Sequence, residues 1–355
     1  CLFLSALLTF ASRSFTNFSQ WYAETVSPLF VNTIGRFFSF VPFSIFELLI
    51  AATILYTLIC ICRYVYLLLK KTGSPMKFIV SFFRNILCFS ASLLLIFTLT
   101  ASINYSRQPI FAGGDSTIRE HSNEELLGLA ILLVDDIKDL SVLVSKDKDG
   151  SLELKEIDLA KDSGQAMKSL GSRYPSLDGY YPSPKPVLFS KAMSYLGITG
   201  IFSPFTLEAN YNRDVPSYII PYTICHELAH LKGFMKEDEA GFLAYLACIN
   251  SQSPQLKYSG TLNALQYTLS QIYNNFDTET YDAIYLSMPE SVRAEINLSK
   301  AYWKAHTVTL TSVARAANDK YLAVNAQDQG TKSYGMMVDL LLKEYEIEIA
   351  DIISR

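Results

Sequence analysis

The chain has 355 residues, half of them hydrophobic, and a formal net charge of −4. That charge leaves no electrostatic footprint for nucleic acid, so none is expected as a partner. The apolar residues crowd into the first third, which argues against a wholly soluble chain and for a lipid bilayer as partner.

Residues 1–104 read as a membrane region. Residues 1–13 are apolar but too short to cross a bilayer, and with no initiator methionine they read as the tail of a first span whose beginning is missing. A mature lipoprotein starting at Cys1 is the alternative, against which the apolar residues directly after Cys1 argue. Residues 14–43 are aromatic and moderately polar and suit an interfacial segment, with Trp21 and Tyr22 at headgroup depth. Two apolar runs, at about 46–69 and 86–103, are long enough to span. Between them lie Lys70, Lys71 and Lys77, flanked by Arg63 and Arg84, whereas residues 14–43 hold only Arg36. The positive-inside rule makes the Lys-rich loop cytoplasmic, so residues 105–355 are expected outside the cytoplasmic membrane.

This second part, of about 250 residues, is long enough for one sizeable core. Residues 124–144 and 156–170 carry helical apolar spacing. Residues 145–156 between them imitate a calcium-binding loop, with Asp147, Asp149, Gly150 and Glu156 at ligand and turn positions. Ser145 in the first position, with Lys146 and Lys148, makes an ordinary charged turn the preferred reading. Residues 197–212, rich in β-branched and aromatic side chains, read as strand. Glu208, Asn210 and Asn212 then share one face, where they can contact a substrate, orient a ligand or cap a turn.

The sharpest signal is His226-Glu227-Leu228-Ala229-His230, within an unbroken helical stretch from Tyr222 to Lys232. Residues four apart share a helix face, so two imidazoles aim at one point, as tetrahedral zinc requires. Glu227, one step round, can reach a water on the metal without filling the open position, the placement of a general base. Gly233 can then turn the chain sharply, and a second helix opens with Glu237, Asp238 and Glu239. A third ligand is therefore available in its first turn; alternatively the acids only favour the positive end of the helix dipole. Cys225 and Cys248 fall on these two helices, either as a disulfide or as buried thiols. The remainder is helical by pattern, at 260–274, 279–286, 289–313 and 335–353. Tyr334, Tyr321 and His306 are candidate donors to an oxyanion, Tyr334 also to a substrate; His121 has no assigned role.

The paired helices resemble the gluzincin zinc peptidases, in which a glutamate within ExxA on a later helix completes the site. Glu237-Asp238-Glu239-Ala240 fits that pattern and makes Glu237 the first choice, although Gly241 stands where Asp or Asn is usual and the spacing is short, so Glu239 stays open. The Gly233 placement is also similar to metzincins, but their third histidine would fall at Lys236. The whole chain resembles an uncharacterised family of bacterial multi-span membrane proteins with this HELAH stretch, matching also at Pro184-Lys185-Pro186, at Phe205 to Asn210 and at Asn318 to Leu322. The resemblance implies N-terminal transmembrane α-helices followed by a mainly α (α+β) zincin-like metallopeptidase domain with a small sheet, in which residues 201–207 pair with extended substrate. The expectation is a membrane-anchored zinc-dependent hydrolase acting on a peptide or protein. Its rivals are a non-catalytic sensor or assembly protein with structural zinc, and a metal-free helical core.

Overall fold

The computed structural model describes residues 1–70, 75–111, 121–155, 157–325 and 333–354. Of the residues singled out above, Lys71 and Glu156 lie outside the described residues, as does the Tyr334 side chain. The architecture is mostly helical, with one small mixed sheet.

The N-terminal part opens with α1 (Leu2–Ser14), packed along the later helix Pro75–Thr100, and α2 (Thr16–Thr25). Then follow α3 (Ser27–Phe30), a π-helical turn Val31–Gly35 and α4 (Arg36–Ser39). The segment 14–43 is thus helical almost throughout, and Trp21 is half-exposed while Tyr22 is buried, its hydroxyl donating to the Leu99 carbonyl at 2.8 Å. Next come α5 (Ile45–Lys70) and α6 (Pro75–Thr100), two helices long and apolar enough to cross a membrane. At 1.5 Å per residue, 26 residues make about 39 Å, ample for a hydrocarbon core of about 30 Å. Their Leu, Ile and Phe side chains point largely outward. The second helix starts earlier than the apolar run at 86, because proline is tolerated in a first helical turn and Met76 to Val80 continue the pattern. Tyr64 stacks on Phe78 at 6.3 Å near the loop, so the pair is an antiparallel hairpin. The start of α5 and the end of α6 therefore lie at the same end.

The helix α7 (Asn123–Ser141) begins with a capping box in which Ser122 and Glu125 satisfy each other's backbone donors. Asp158 caps α8 (Leu159–Ser169). Between them, Asp147 accepts from the amides of Asp149 and Ser151 at 2.9 and 3.0 Å, and Gly150 adopts φ +84°. Its described part is a charged turn whose aspartate is occupied by backbone.

The sheet holds β1 (Lys185–Pro186), β2 (Gly200–Ser203) and β3 (Glu208–Tyr211) in the order β1-β3-β2, with α9 (Ser190–Leu196) between β1 and β2. β1 runs parallel and β2 antiparallel to β3, with Phe202 opposite Ala209. The single strand expected over 197–212 is instead a hairpin. Pro204 lacks a ladder donor, Leu207 takes φ +52°, and the Leu207 amide closes the turn on the Ser203 carbonyl at 2.8 Å.

The centre of the core is α10 (Ile219–Leu231), every residue of which is buried. A helix apolar on all sides must be wrapped. It is enclosed by α8, α11 (Glu237–Asn250), α12 (Pro254–Asn275) and the sheet. Tyr222 joins α10 to α11 through its hydroxyl and the Gly241 carbonyl at 3.2 Å. The C-terminal helices are α13 (Thr278–Ser287), α14 (Glu290–His306), α15 (Thr309–Val324), α16 (Ser333–Glu344) and α17 (Glu346–Ile353). Two continuous helices of the sequence pattern are thereby split. Extended backbone at Thr307 separates α14 from α15, and Tyr345 separates α16 from α17.

Candidate metal centre

His226 and His230, one turn apart on α10, present edge-to-face rings with centroids 4.6 Å apart. After His230 the chain reverses at Gly233, whose φ of +85° lies in the region that favours glycine. A Cβ there would also press on the Asn104 side chain at 3.2 Å. The reversal delivers Glu237, the first residue of α11, to the histidines: its Oε2 lies 3.1 Å from His226 Nε2 and 3.7 Å from His230 Nε2. One donor atom from each of the three lies within 4.8 Å of the others, the only such His/Cys/Asp/Glu cluster among the described residues.

Two imidazoles and a carboxylate suit zinc by donor chemistry, and the surroundings fit a ligand role. His230 Nδ1 donates to the Phe234 carbonyl at 2.8 Å, which leaves Nε2 as the nitrogen facing the cluster, able to bind a metal once its own proton is lost. Burial disfavours charge on His230, but Glu237 and Glu227 outweigh it and push its pKa up to about 9. Burial likewise opposes ionisation of Glu237, yet the two histidines hold its carboxyl well below the ordinary value. The metal-free cluster is thus a hydrogen-bonded ion pair.

Glu227 is buried beside the cluster but outside it. Burial raises its pKa, the two imidazoles opposing, and the Phe202 backbone supplies a hydrogen bond. Gly200 of β2 lies against it so closely that a Cβ would sit 2.5 Å from Glu227 Oε1. A cleft of about 830 Å³ opens here, lined by the three cluster residues, Glu227, β2, Tyr105, Tyr267, and Arg315, Asn318 and Tyr321 of α15. The Tyr105 and Tyr321 hydroxyls are 3.1 Å apart, and burial, with the nearby Tyr321 and Glu237, pushes Tyr105 far above its ordinary pKa. Both cleft ends of the apolar hairpin contribute walls: Phe46 from the start of α5, Phe97 from the last turn of α6 and Ala101 just after it.

The other residues named from sequence are placed elsewhere. Glu239 is buried away from the cluster, its Oε1 3.4 Å from Lys236 Nζ. Glu208 is not a cleft residue: it forms a buried ion pair with Lys185 and accepts from the Ile45 and Phe46 amides at 3.1 and 2.9 Å. It caps the membrane-type helix α5. Asn212 donates to Ser194 Oγ and the Ile198 carbonyl at 3.0 and 2.9 Å, and Asn210 to the Ile201 carbonyl at 3.3 Å; both brace the hairpin. His306 Nδ1 donates to the Tyr302 carbonyl at 2.9 Å, away from the cleft lining. Residues 201–203 of the expected substrate strand lie in edge strand β2, and the remainder forms the turn. Cys225 and Cys248 are buried free thiols with sulfurs 3.9 Å apart. Sequence reasoning missed Gly200, Tyr105, Tyr267 and Phe46; an isolated glycine in a strand pattern was the one available signal, for Gly200.

Fold and site together define a mostly helical protein with two membrane-type helices and a His-His-Glu cluster geometrically able to hold a metal ion. The chain belongs to the family described as protein of unknown function (DUF3810), which it matches over residues 22–342. No curated protein and no solved structure matches it.

Proposed function

We propose that the protein is a membrane-anchored, zinc-dependent metallohydrolase of gluzincin-like design, a peptidase by class, with its catalytic part outside the bacterial cytoplasmic membrane. The observation that carries this reading is the convergence of His226, His230 and Glu237 with Glu227 left beside them, outside the ligand set, at the floor of a cleft. A structural zinc site has no use for such a base.

His226, His230 and Glu237 would hold the ion. Zinc bound there supplies Lewis acidity, lowering the pKa of a water and polarising a carbonyl. Glu227 takes a proton from the attacking water as its oxygen bonds to the carbonyl carbon, then passes that proton to the nitrogen as the C–N bond breaks. The raised pKa of Glu227 suits both transfers. Tyr321 and Tyr105, kept protonated on the cleft wall, are hydroxyl donors that would serve an oxyanion. The edge of β2 can pair with extended peptide. The bilayer placement is supported by α5 and α6, long and apolar enough to span, and the orientation by Lys70 and Lys77 near their loop, which the positive-inside rule would put in the cytoplasm.

The test is metal content of the purified protein, His226→Ala and Glu227→Gln, with hydrolysis of a mixed peptide library on the same samples. About one zinc per chain, lost in His226→Ala, and metal without cleavage in Glu227→Gln are expected. A wild type that holds no zinc removes the proposal.

A further inference from the structure

Resting on the hydrolase and membrane readings above, we infer that the cleft takes the juxtamembrane stretch of a membrane-held polypeptide, in extended form along the edge of β2. The argument begins with what fastens the site to the hairpin. Glu208 on β3 caps the first turn of α5 through the Ile45 and Phe46 amides. Reciprocally, Glu47 of α5 accepts from the Leu188 and Phe189 amides, just after β1, at 2.9 and 2.7 Å. Two carboxylates thus lock the sheet to the end of a membrane-type helix.

That lock sets the height of the cleft. Phe46 on its wall is the second residue of α5, and Phe97 and Ala101 flank the end of α6, so the cleft opens where both helices leave the apolar layer. Phe46 stacks on Phe205 of the β2–β3 turn at 6.5 Å, and Phe97 meets Tyr321 edge-on at 6.1 Å. The cleft is therefore continuous from the helix ends to the metal ligands.

The outer surface at this level is apolar as well. Leu188 and Phe189 are 58 % and 67 % exposed, and Phe40, shortly before α5, is 82 % exposed. Large apolar side chains held out beside a membrane-type helix end are suited to the bilayer boundary rather than to water.

The edge of β2 decides the chemical class. Strand edges recognise backbone amides through ladder hydrogen bonds, which lipid chains cannot return; on this edge the Phe202 amide is given to Glu227, so pairing would fall to the edge's carbonyls, which accept from a substrate's amides. A polypeptide leaving the bilayer in extended form covers about 3.3 Å per residue, so the cut is expected in the first extended stretch outside the membrane.

Two measurements on the full chain in phosphatidylcholine–phosphatidylglycerol vesicles test this. In a Trp21→Phe, Trp303→Phe background, Phe205→Trp fluorescence should be quenched by lipids brominated high on the acyl chain and little by lipids brominated near its end. For the zinc-loaded wild type, one mixed-sequence segment is offered free in solution, directly after a transmembrane anchor, or behind a flexible linker of about 40 residues. The directly anchored form should be cut about tenfold faster than either other form; the long linker controls for surface concentration alone. Equal rates, or no quenching while free peptide is cut, overturn this inference and leave the hydrolase reading standing. Fatty-acid release from the vesicles without peptide cleavage overturns the polypeptide class. No hydrolysis of any kind by zinc-loaded protein overturns both readings.

Discussion

A Cβ added to Gly200 would lie 2.5 Å from Oε1 of Glu227 and equally close to Cγ2 of Thr223, so β2 and the HExxH helix touch where no side chain fits. Any substituent must push the edge strand away from the base or turn the base away from the cluster. Gly200→Ala is therefore expected to keep metal, since no ligand is moved, yet to lose at least about tenfold in hydrolysis and about 1–3 kcal/mol in stability from overpacking. Zinc analysis, peptide turnover and denaturant unfolding on one preparation check it.

The proposed ligand set makes opposite predictions for two neighbouring acids. Glu237 Oε2 faces both histidines, whereas Glu239 is buried beside Lys236 with the Arg107 charge near it. Glu237→Gln should weaken zinc binding about a hundredfold or more, and Glu239→Gln should leave it within a few-fold. Competition against a chromophoric chelator measures both. The reverse order would mean that the first turn of α11 had been assigned the wrong carboxylate.

The metal-free ion pair also fixes a pH dependence. His230 keeps its proton to about pH 9, because Glu237 and Glu227 outweigh the cost of burial, against an ordinary value of 6.5. Zinc needs the neutral ring, so binding at pH 7 should release about one proton and affinity should fall as pH falls. Calorimetry in buffers of different ionisation enthalpy reads the proton directly. For the metal-free protein, the raised His230 contributes stability that is complete below about 6.5 and disappears as pH rises through about 9. The depressed Glu237 contributes stability present above its ordinary 4.5 and lost as pH falls toward its native value. Stability of the metal-free form from this pair should thus peak between about 4.5 and 6.5, and a profile that rises from 6.5 to 9 would contradict the geometry.

Glu208 marks where the chain pattern stopped being readable. The His226, His230 and Glu237 cluster was legible because its geometry is local: four-residue spacing puts His226 and His230 on one face, and Gly233 turns the chain only a few residues before Glu237. The partners of Glu208 lie 23 residues away at Lys185 and more than 160 residues away at Ile45 and Phe46. Nothing in an alternating Glu-x-Asn-x-Asn pattern reveals them. The hairpin was hidden for a related reason: β-branched and aromatic residues run through 197–212, and only the tertiary fold makes Leu207 turn. Glu208→Ala leaves the Lys185 ammonium buried without its ion pair and uncaps α5. It is expected to cost about 3–5 kcal/mol while the folded fraction keeps its zinc. Unfolding followed by tyrosine fluorescence, with metal counted in the folded pool, separates the two effects.

The hydroxyl pair of Tyr105 and Tyr321 yields the remaining kinetic expectation. Their oxygens are 3.1 Å apart on the cleft wall, and only one can donate to the other at a time, so the second hydrogen is free to serve a developing oxyanion. Tyr321 comes from α15 and is 43 % exposed, whereas Tyr105 is half-buried, and burial raises the pKa of both hydroxyls. The more exposed member is the one expected to reach a bound substrate, with Tyr105, whose hydroxyl donates to it, as its positioning partner. Tyr321→Phe should therefore lower kcat by about 10²–10³ with KM little changed, as expected for a donor acting only in the transition state. Tyr105→Phe should lower kcat less, because it frees the Tyr321 hydroxyl to rotate without removing it. If Tyr321→Phe raised KM alone, the hydroxyl would be holding substrate in its ground state, and the oxyanion donor would have to be another polar group of the wall, such as Arg315, Asn318 or Tyr267.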